Sequence, residues 1–238
     1  MLLEIAVFNI QSAIIAAASG ADRIELCDNA ADGGTTVSYG ILKTIKEKIT
    51  VPVFPMIRPR GGDFLYSYEE FEVMRKDVLL CKSFGFEGVV FGLLNTDGTI
   101  DVKRTAQLVE LAYPLEVTFH RAFDHAVNPL EALEKIIDCG CTRLLTSGQM
   151  PYAMEGKVLI RQLIEQADER IIIMPGSGVR SNNITELATI TGATEFHSSA
   201  RKTVASQMIC ENKNMHDALD NLIVDANEII LMKEKLSA

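Results

Sequence analysis

Short β-rich runs alternate with helix-length amphipathic segments along the chain, and this alternation constrains the fold more than any other feature. The β-rich runs are residues 2–7, 23–27, 53–57, 88–91, 116–120, 143–146, 171–174 and 195–197. Between them lie apolar-periodic segments at 11–19, 38–48, 67–84, 102–112, 129–139, 153–167 and 181–191. The repeat is roughly thirty residues, the length of one strand–helix unit of a (β/α)8 barrel. Parallel strands need crossovers of this length, whereas hairpins do not. An open doubly wound sheet would want a glycine-rich turn directly after the first strand, and Phe8-Asn9-Ile10-Gln11 is not one. The expected fold is therefore α/β, a single (β/α)8 TIM barrel over residues 1–238, with strands and helices in about 2–200.

Local punctuation agrees with these cuts. Gly20, Gly85, Gly140 and Gly192 each stand just past a helical segment, where a left-handed residue ends a helix. Asp101 and Ser181 read as N-caps, and Pro129 as a first-turn residue after Asn128. Residues 202–214 are polar and read as a loop. Residues 218–235 carry Leu219, Leu222, Ile223 and Ile230 at helical spacing and read as a closing helix, so that 201–238 form a C-terminal extension.

Composition excludes several classes of partner. A net charge of -9, with no long basic stretch, argues against nucleic acid. No apolar run is long enough for a membrane span. The first residues contain Glu4 and no basic region, and read as a strand rather than a secretory signal, which makes the expected location cytoplasmic. The five cysteines do not form a disulfide framework; Cys81 reads as core, and Cys139 and Cys141 as small thiols at a helix-to-strand junction.

Alternate side chains of a barrel strand point inward, and those near its carboxyl end reach the active face. Taking Ile24 and Leu26 as helix-facing sends Glu25 and Cys27 inward; by the same parity Glu4, Met56, Arg58, Thr118, His120, Glu195 and His197 point inward. Unpartnered buried charges cost on the order of several kcal/mol each, so these groups must neutralise one another, meet solvent or meet a ligand. The strand-end loops add Arg60, Gly61, Gly62 and Asp63 after the third strand and Arg121 and Asp124 after the fifth. Ser147 follows the sixth, Gly176, Ser177 and Gly178 the seventh, and Ser198 the eighth. Loops after strands seven and eight often bind phosphate in such barrels. These residues suit a small anion held by Arg58, Arg60, Arg121, Ser147, Gly176, Gly178 and Ser198, with Glu25 and His197 beside it. In that reading His120, Asp124 or Asp63 would move a proton. A divalent metal on Glu25, His120, Glu195 and His197 is a third reading, weakened by the charge of Arg58.

Five strand-end segments, GADRIELC at 20–27, IRPRGGDF at 57–64, VTFHRAFD at 117–124, LLTSG at 144–148 and TEFHSS at 194–199, together resemble the CutC family. The resemblance implies a cytosolic TIM barrel that self-associates, as a dimer or tetramer, and serves copper handling or tolerance. It also implies a copper(I) contact at Cys27. Some members carry a second cysteine on the first strand, where this chain has Ala6. An enzyme acting on a small anionic or phosphorylated metabolite is the alternative that the residues themselves suggest.

Overall fold

The structure, a computed structural model, describes residues 1–237 apart from 211, 213, 216 and 217. Among the described residues, β1 (Leu2–Val7), β2 (Arg23–Leu26), β3 (Val53–Pro55) and β4 (Gly88–Phe91) are followed by β5 (Glu116–Phe119), β6 (Arg143–Thr146), β7 (Ile172–Pro175) and β8 (Glu195–Ser198). The intervening helices are α1 (Ile10–Ala18), α2 (Tyr39–Lys48), α3 (Tyr68–Ser83), α4 (Val102–Ala112), α5 (Pro129–Asp138), α6 (Lys157–Ala167) and α7 (Ile184–Thr191).

The strands pair in parallel as two arcs, β3-β2-β1-β8 and β4-β5-β6-β7. One seam, between β3 and β4, is closed by a bridge from Met56 to Val90, where the Ile57 amide donates to the Val90 carbonyl at 2.7 Å. At the other seam β7 lies beside β8, but no backbone ladder joins them among the described residues. This is the TIM barrel that the repeat predicts.

Strand parity sorts the side chains. Leu3, Ile5, Val7, Ile24 and Leu26 are fully buried between strands and helices. The opposite face of β2 sends Arg23, Glu25 and Cys27 into the barrel. Helix starts are fixed by short polar side chains: Asn9 accepts from the Ser12 amide at 2.8 Å, and Asp101 from Arg104 at 3.0 Å. On α3, Ser67 and Glu70 form a reciprocal capping box.

Two local expectations fail. Ser181 is not a cap; its amide and hydroxyl both donate to the Glu228 carboxylate, and α7 begins three residues later behind Asn183. The C-terminal extension is not a loop followed by one helix. β9 (Arg201–Val204) pairs antiparallel with β10 (Asn221–Val224), and only then does α8 (Ala226–Ser237) form. The hairpin is held by barrel residues: Asn9 donates to the Leu222 carbonyl, Ser12 accepts from the Val224 amide, and Asp225 donates to Ala200. These tertiary bonds override the helical spacing of Leu219 and Leu222, both of which stay exposed. No helix among the described residues is long and apolar enough to cross a membrane.

Candidate functional site

An ionic chain fills the lower barrel. Arg143 donates from Nε to Glu195 at 2.6 Å and from Nη1 to the half-exposed Glu116 at 3.2 Å. Arg23 bridges Glu195, at 2.7 Å, and Glu4. Both guanidiniums flank the Phe54 ring, 5.0 and 5.5 Å from its centroid. Glu4 passes the chain upward by accepting from His197 Nδ1 at 2.8 Å, and His197 Nε2 stands 3.9 Å from Glu25. Burial pushes the Glu4 carboxyl up, but Arg23 and His197 outweigh it and hold it at about 2. For His197, burial lowers and the carboxylates of Glu25 and Glu4 raise, with a net upward shift. Glu25 is itself raised, by burial first, against the pull of His197. The inward glutamates Glu4 and Glu195 are thus neutralised by buried arginines.

Above this chain opens a cavity of ≈ 660 Å³ at the carboxyl ends of the strands. Its lining includes four arginines, Arg58, Arg121, Arg180 and Arg201, of which Arg121 is paired with Asp124, against two carboxyl groups, Glu25 and Asp32, in a chain of net charge -9. The mouth is therefore a local positive region on an acidic protein.

His120 stands at the end of β5 with only 4% exposure. Its ring has room because Gly92 lacks a side chain; a Cβ there would meet Nδ1 at 2.5 Å. Nδ1 accepts the Ala122 amide at 3.1 Å, so the neutral ring carries its proton on Nε2. Burial, then the charge of Arg58, lowers the imidazole to about 3. His120 is thus a neutral donor at physiological pH, and its tautomer is set by a backbone amide rather than by an aspartate.

Arg58 is gripped by carbonyls. Nη1 donates to Asp32 at 2.6 Å and Gly34 at 2.9 Å, and Nη2 to Gly62 at 2.7 Å, which ties the loops after β2 and β3 together. No carboxylate pairs with it among the described residues. Phe64 packs against both groups, its centroid 4.8 Å from the Arg58 guanidinium and 5.0 Å from the His120 ring. Three buried polar atoms in the lining have no hydrogen-bond partner among the described residues: Glu25 Oε1, Arg58 Nε and His120 Nε2.

Of the residues expected at the site, Glu25, Arg58, His120, Arg121, Gly178, His197 and Ser198 line the cavity. Arg60 and Asp63 do not. Arg60 donates to Glu70 at 2.5 Å, to Asp63 at 2.9 Å and to the Leu65 carbonyl at 2.7 Å, so the capping box of α3 draws it out of the mouth. Asp124 is also spent. It accepts from the Thr146 hydroxyl at 2.6 Å, the Ser147 hydroxyl at 2.8 Å, the Gln149 amide at 3.1 Å and Arg121 at 2.7 Å. It anchors one loop to the next and has no lone pair to spare for proton transfer. Ser147 belongs to that anchor. Gly176 lies behind the wall, where a Cβ would meet Leu145 at 2.5 Å and His197 at 3.2 Å.

Cys27 lies beneath the cavity floor, 1% exposed, with Gly34 pressed over its sulfur. Burial and the neighbouring Glu25 push its thiol well above the usual range, and the thiol donates to Glu25 Oε2 at 3.4 Å. Copper(I) prefers thiolate and thioether ligands. Here the thiol is held protonated, Ala6 replaces a second one, and Met56 supplies the one sulfur packed with it. The donor set does not fit a tight copper(I) site. Glu4, Glu25 and His197 lie close enough to share a cation, but Arg23 already occupies Glu4, and neither His120 nor Glu195 joins them.

Arg23 and Arg143 also belong to the barrel interior, and the one sequence signal for them is the inward parity they share with Glu25 and Leu145. Arg180, Phe64 and Tyr152 reach the cavity from long loops with no periodic signal.

The CutC family model matches residues 1–202. A CutC family protein of Chromobacterium violaceum is 53% identical over 207 residues, covering 87% of this chain and 84% of that protein. The human copper homeostasis protein cutC homolog is 49% identical over 214 residues, 90% of this chain and 78% of the relative. A CutC crystal structure from Streptococcus agalactiae superposes with a TM-score of 0.78 at 32% identity, covering 84% of this chain and 98% of that one. Phosphoribosyl anthranilate isomerase of Thermotoga maritima, at 12% identity and a TM-score of 0.62, shares the barrel alone. With the family model spanning every barrel strand and half the residues shared with two relatives, this chain belongs to the CutC family.

Proposed function

We propose that the mouth of this barrel binds a small anionic metabolite and that the chain is an enzyme acting on it. The observation that carries this reading is the set of unpartnered atoms at the cavity: two buried N–H donors, on Arg58 and His120, and one carboxyl oxygen on Glu25. Leaving such groups unsatisfied costs about 1–3 kcal/mol each, a cost that a bound ligand with matching polar atoms removes. The excess of arginine over carboxylate in the lining sets the sign of that ligand. A volume of ≈ 660 Å³ suits a metabolite of sugar-phosphate size.

The copper handling carried by the name of the human relative is taken over for this chain as a role in the cell, without a copper(I) ion on Cys27. The buried, protonated state of that thiol supports this separation.

Thermal unfolding in the presence of inorganic phosphate, sulfate, sugar phosphates and 2-oxo acids tests the anion reading. A ligand at a hundred times its Kd stabilises by about 2.7 kcal/mol, or roughly 5–11 °C for a chain of this size. His120→Ala should lose most of that gain. If no anion in the series raises the midpoint, the reading fails.

A further inference from the structure

We infer that the cavity catalyses proton removal beside the carbonyl group of a small phosphorylated hydroxycarbonyl compound, with Glu25 carrying the proton and His120 and Arg58 holding the oxygen. This rests on the anion-binding reading above and adds the reaction class. The three unpartnered atoms are not interchangeable in what they ask for. His120 Nε2–H and Arg58 Nε–H each need an acceptor, and they are brought to one wall because both side chains pack on Phe64, at 5.0 and 4.8 Å. An oxygen that gains negative charge is the acceptor each asks for. Neither donor readily gives its proton away, the guanidinium because of its intrinsic basicity and the imidazole because it is already neutral. They therefore stabilise an oxyanion rather than quench it.

Glu25 asks for the opposite. Its Oε1 has no donor, while Oε2 accepts from Cys27 at 3.4 Å and faces His197 Nε2 at 3.9 Å. A carboxylate with one unpartnered oxygen beside the cavity and an imidazole behind the other is built to take a proton from a ligand and exchange it. The anionic handle lies on the chain after β7 and β8. Arg180 and Arg201 line the cavity there without a carboxylate partner among the described residues, beside Gly178 and Ser199. Two guanidiniums match the double charge of a phosphate better than a single carboxylate.

The step balances without an added reagent. Glu25 takes a proton from the carbon next to the carbonyl, and the C–H electron pair becomes a C=C bond. The carbonyl π pair moves onto oxygen, where His120 and Arg58 hold it. Return of a proton to the same carbon restores the compound or its epimer, and return to the former carbonyl carbon, with the hydroxyl proton moving between oxygens, gives the isomer. No external oxidant or reductant takes part.

The test measures binding and exchange separately on the full chain. Dihydroxyacetone phosphate, ribulose 5-phosphate and, as a phosphate-free arm, pyruvate are incubated in D2O, and loss of the C–H signal is followed by proton NMR. Calorimetry compares glycerol 3-phosphate with phosphoglycolohydroxamate, an enediolate mimic. The expected results are C–H exchange with at least one phosphate and a preference for the hydroxamate on the order of 100-fold. Glu25→Gln should abolish exchange and leave the Kd for glycerol 3-phosphate within about threefold, since it removes the base and not the handle. His120→Ala should slow exchange roughly 100-fold and erase the hydroxamate preference. If Glu25→Gln does not fold, Glu25→Asp, which retracts the carboxylate, should slow exchange with binding kept. Phosphate binding with no exchange and no hydroxamate preference overturns the reaction class and leaves the anion reading standing. Exchange with pyruvate alone overturns the phosphate handle. Failure of every probe to bind overturns both.

Discussion

Replacing Glu4 by glutamine removes one charge from the middle of the ionic chain and leaves the volume almost unchanged. Arg23 then keeps only Glu195 as a charged partner, and His197 faces an amide where a carboxylate stood at 2.8 Å. The cost follows from proton linkage. Glu4 is lowered from 4.5 to about 2, so its ionised form is favoured in the folded state. At about 1.36 kcal/mol per pH unit, this corresponds to about 3 kcal/mol of stability at neutral pH. An independent figure agrees: breaking a buried ion pair by removing one partner costs about 3–5 kcal/mol. The sign is fixed, because a carboxyl with a depressed pKa stabilises fully above its unfolded value and loses that contribution as pH falls through its folded value. Urea unfolding of wild type and Glu4→Gln at several pH values is the assay. The two should differ by about 3 kcal/mol at pH 7, with roughly half of that gap gone by pH 3. Equal stability at pH 7, or a gap that stays constant down to pH 3, would refute the assignment of Glu4 as the charged centre of the network.

The two buried histidines should separate in an NMR titration: His120 stays neutral from pH 5 to 9 because it lies at about 3, whereas His197 titrates above 6.5. The stability from His197 is fully present below pH 6.5 and fades as pH rises through its folded value, so Glu25→Gln should move the His197 midpoint down. Gly92→Ala places a Cβ 2.5 Å from His120 Nδ1, and should lower affinity for phosphoglycolohydroxamate at least tenfold by turning the ring, read by calorimetry while circular dichroism keeps the barrel signature. Cys27→Ala should leave copper(I) affinity unchanged in an anaerobic titration against a competing chelator; a clear loss would return the copper(I) contact to this thiol.

Much of the barrel is legible in the chain because strand parity and helix length are local properties. Ile24 and Leu26 against Glu25 and Cys27 already divide one strand into two faces, and the same division places His120 and His197 at the mouth. The partners were harder. Arg23 and Arg143 begin their strands, where arginine is ordinarily solvated, and only closure of the barrel shows that they lie inside. Asp124 and Arg60 have the chemistry of a binding site, but the Ser147 turn and the α3 capping box, reached through long-range folding of loops, take up their hydrogen bonds. The β9–β10 hairpin is invisible for a similar reason: its bonds go to Asn9 and Ser12, more than two hundred residues away in sequence.

The two seams of the barrel are closed by different forces. Between β3 and β4 the backbone does it. Between β7 and β8, where no ladder forms among the described residues, Arg143 of β6 reaches Glu195 of β8, and Arg23 of β2 touches Met174 of β7 at 3.3 Å. Side-chain charge stands in for main-chain hydrogen bonding along that line. A stave held by side chains can be released by a single substitution. Glu195→Gln should therefore loosen this barrel lengthwise at the β7–β8 joint, exposing those two strands to hydrogen exchange while the β1–β2 ladder is still closed.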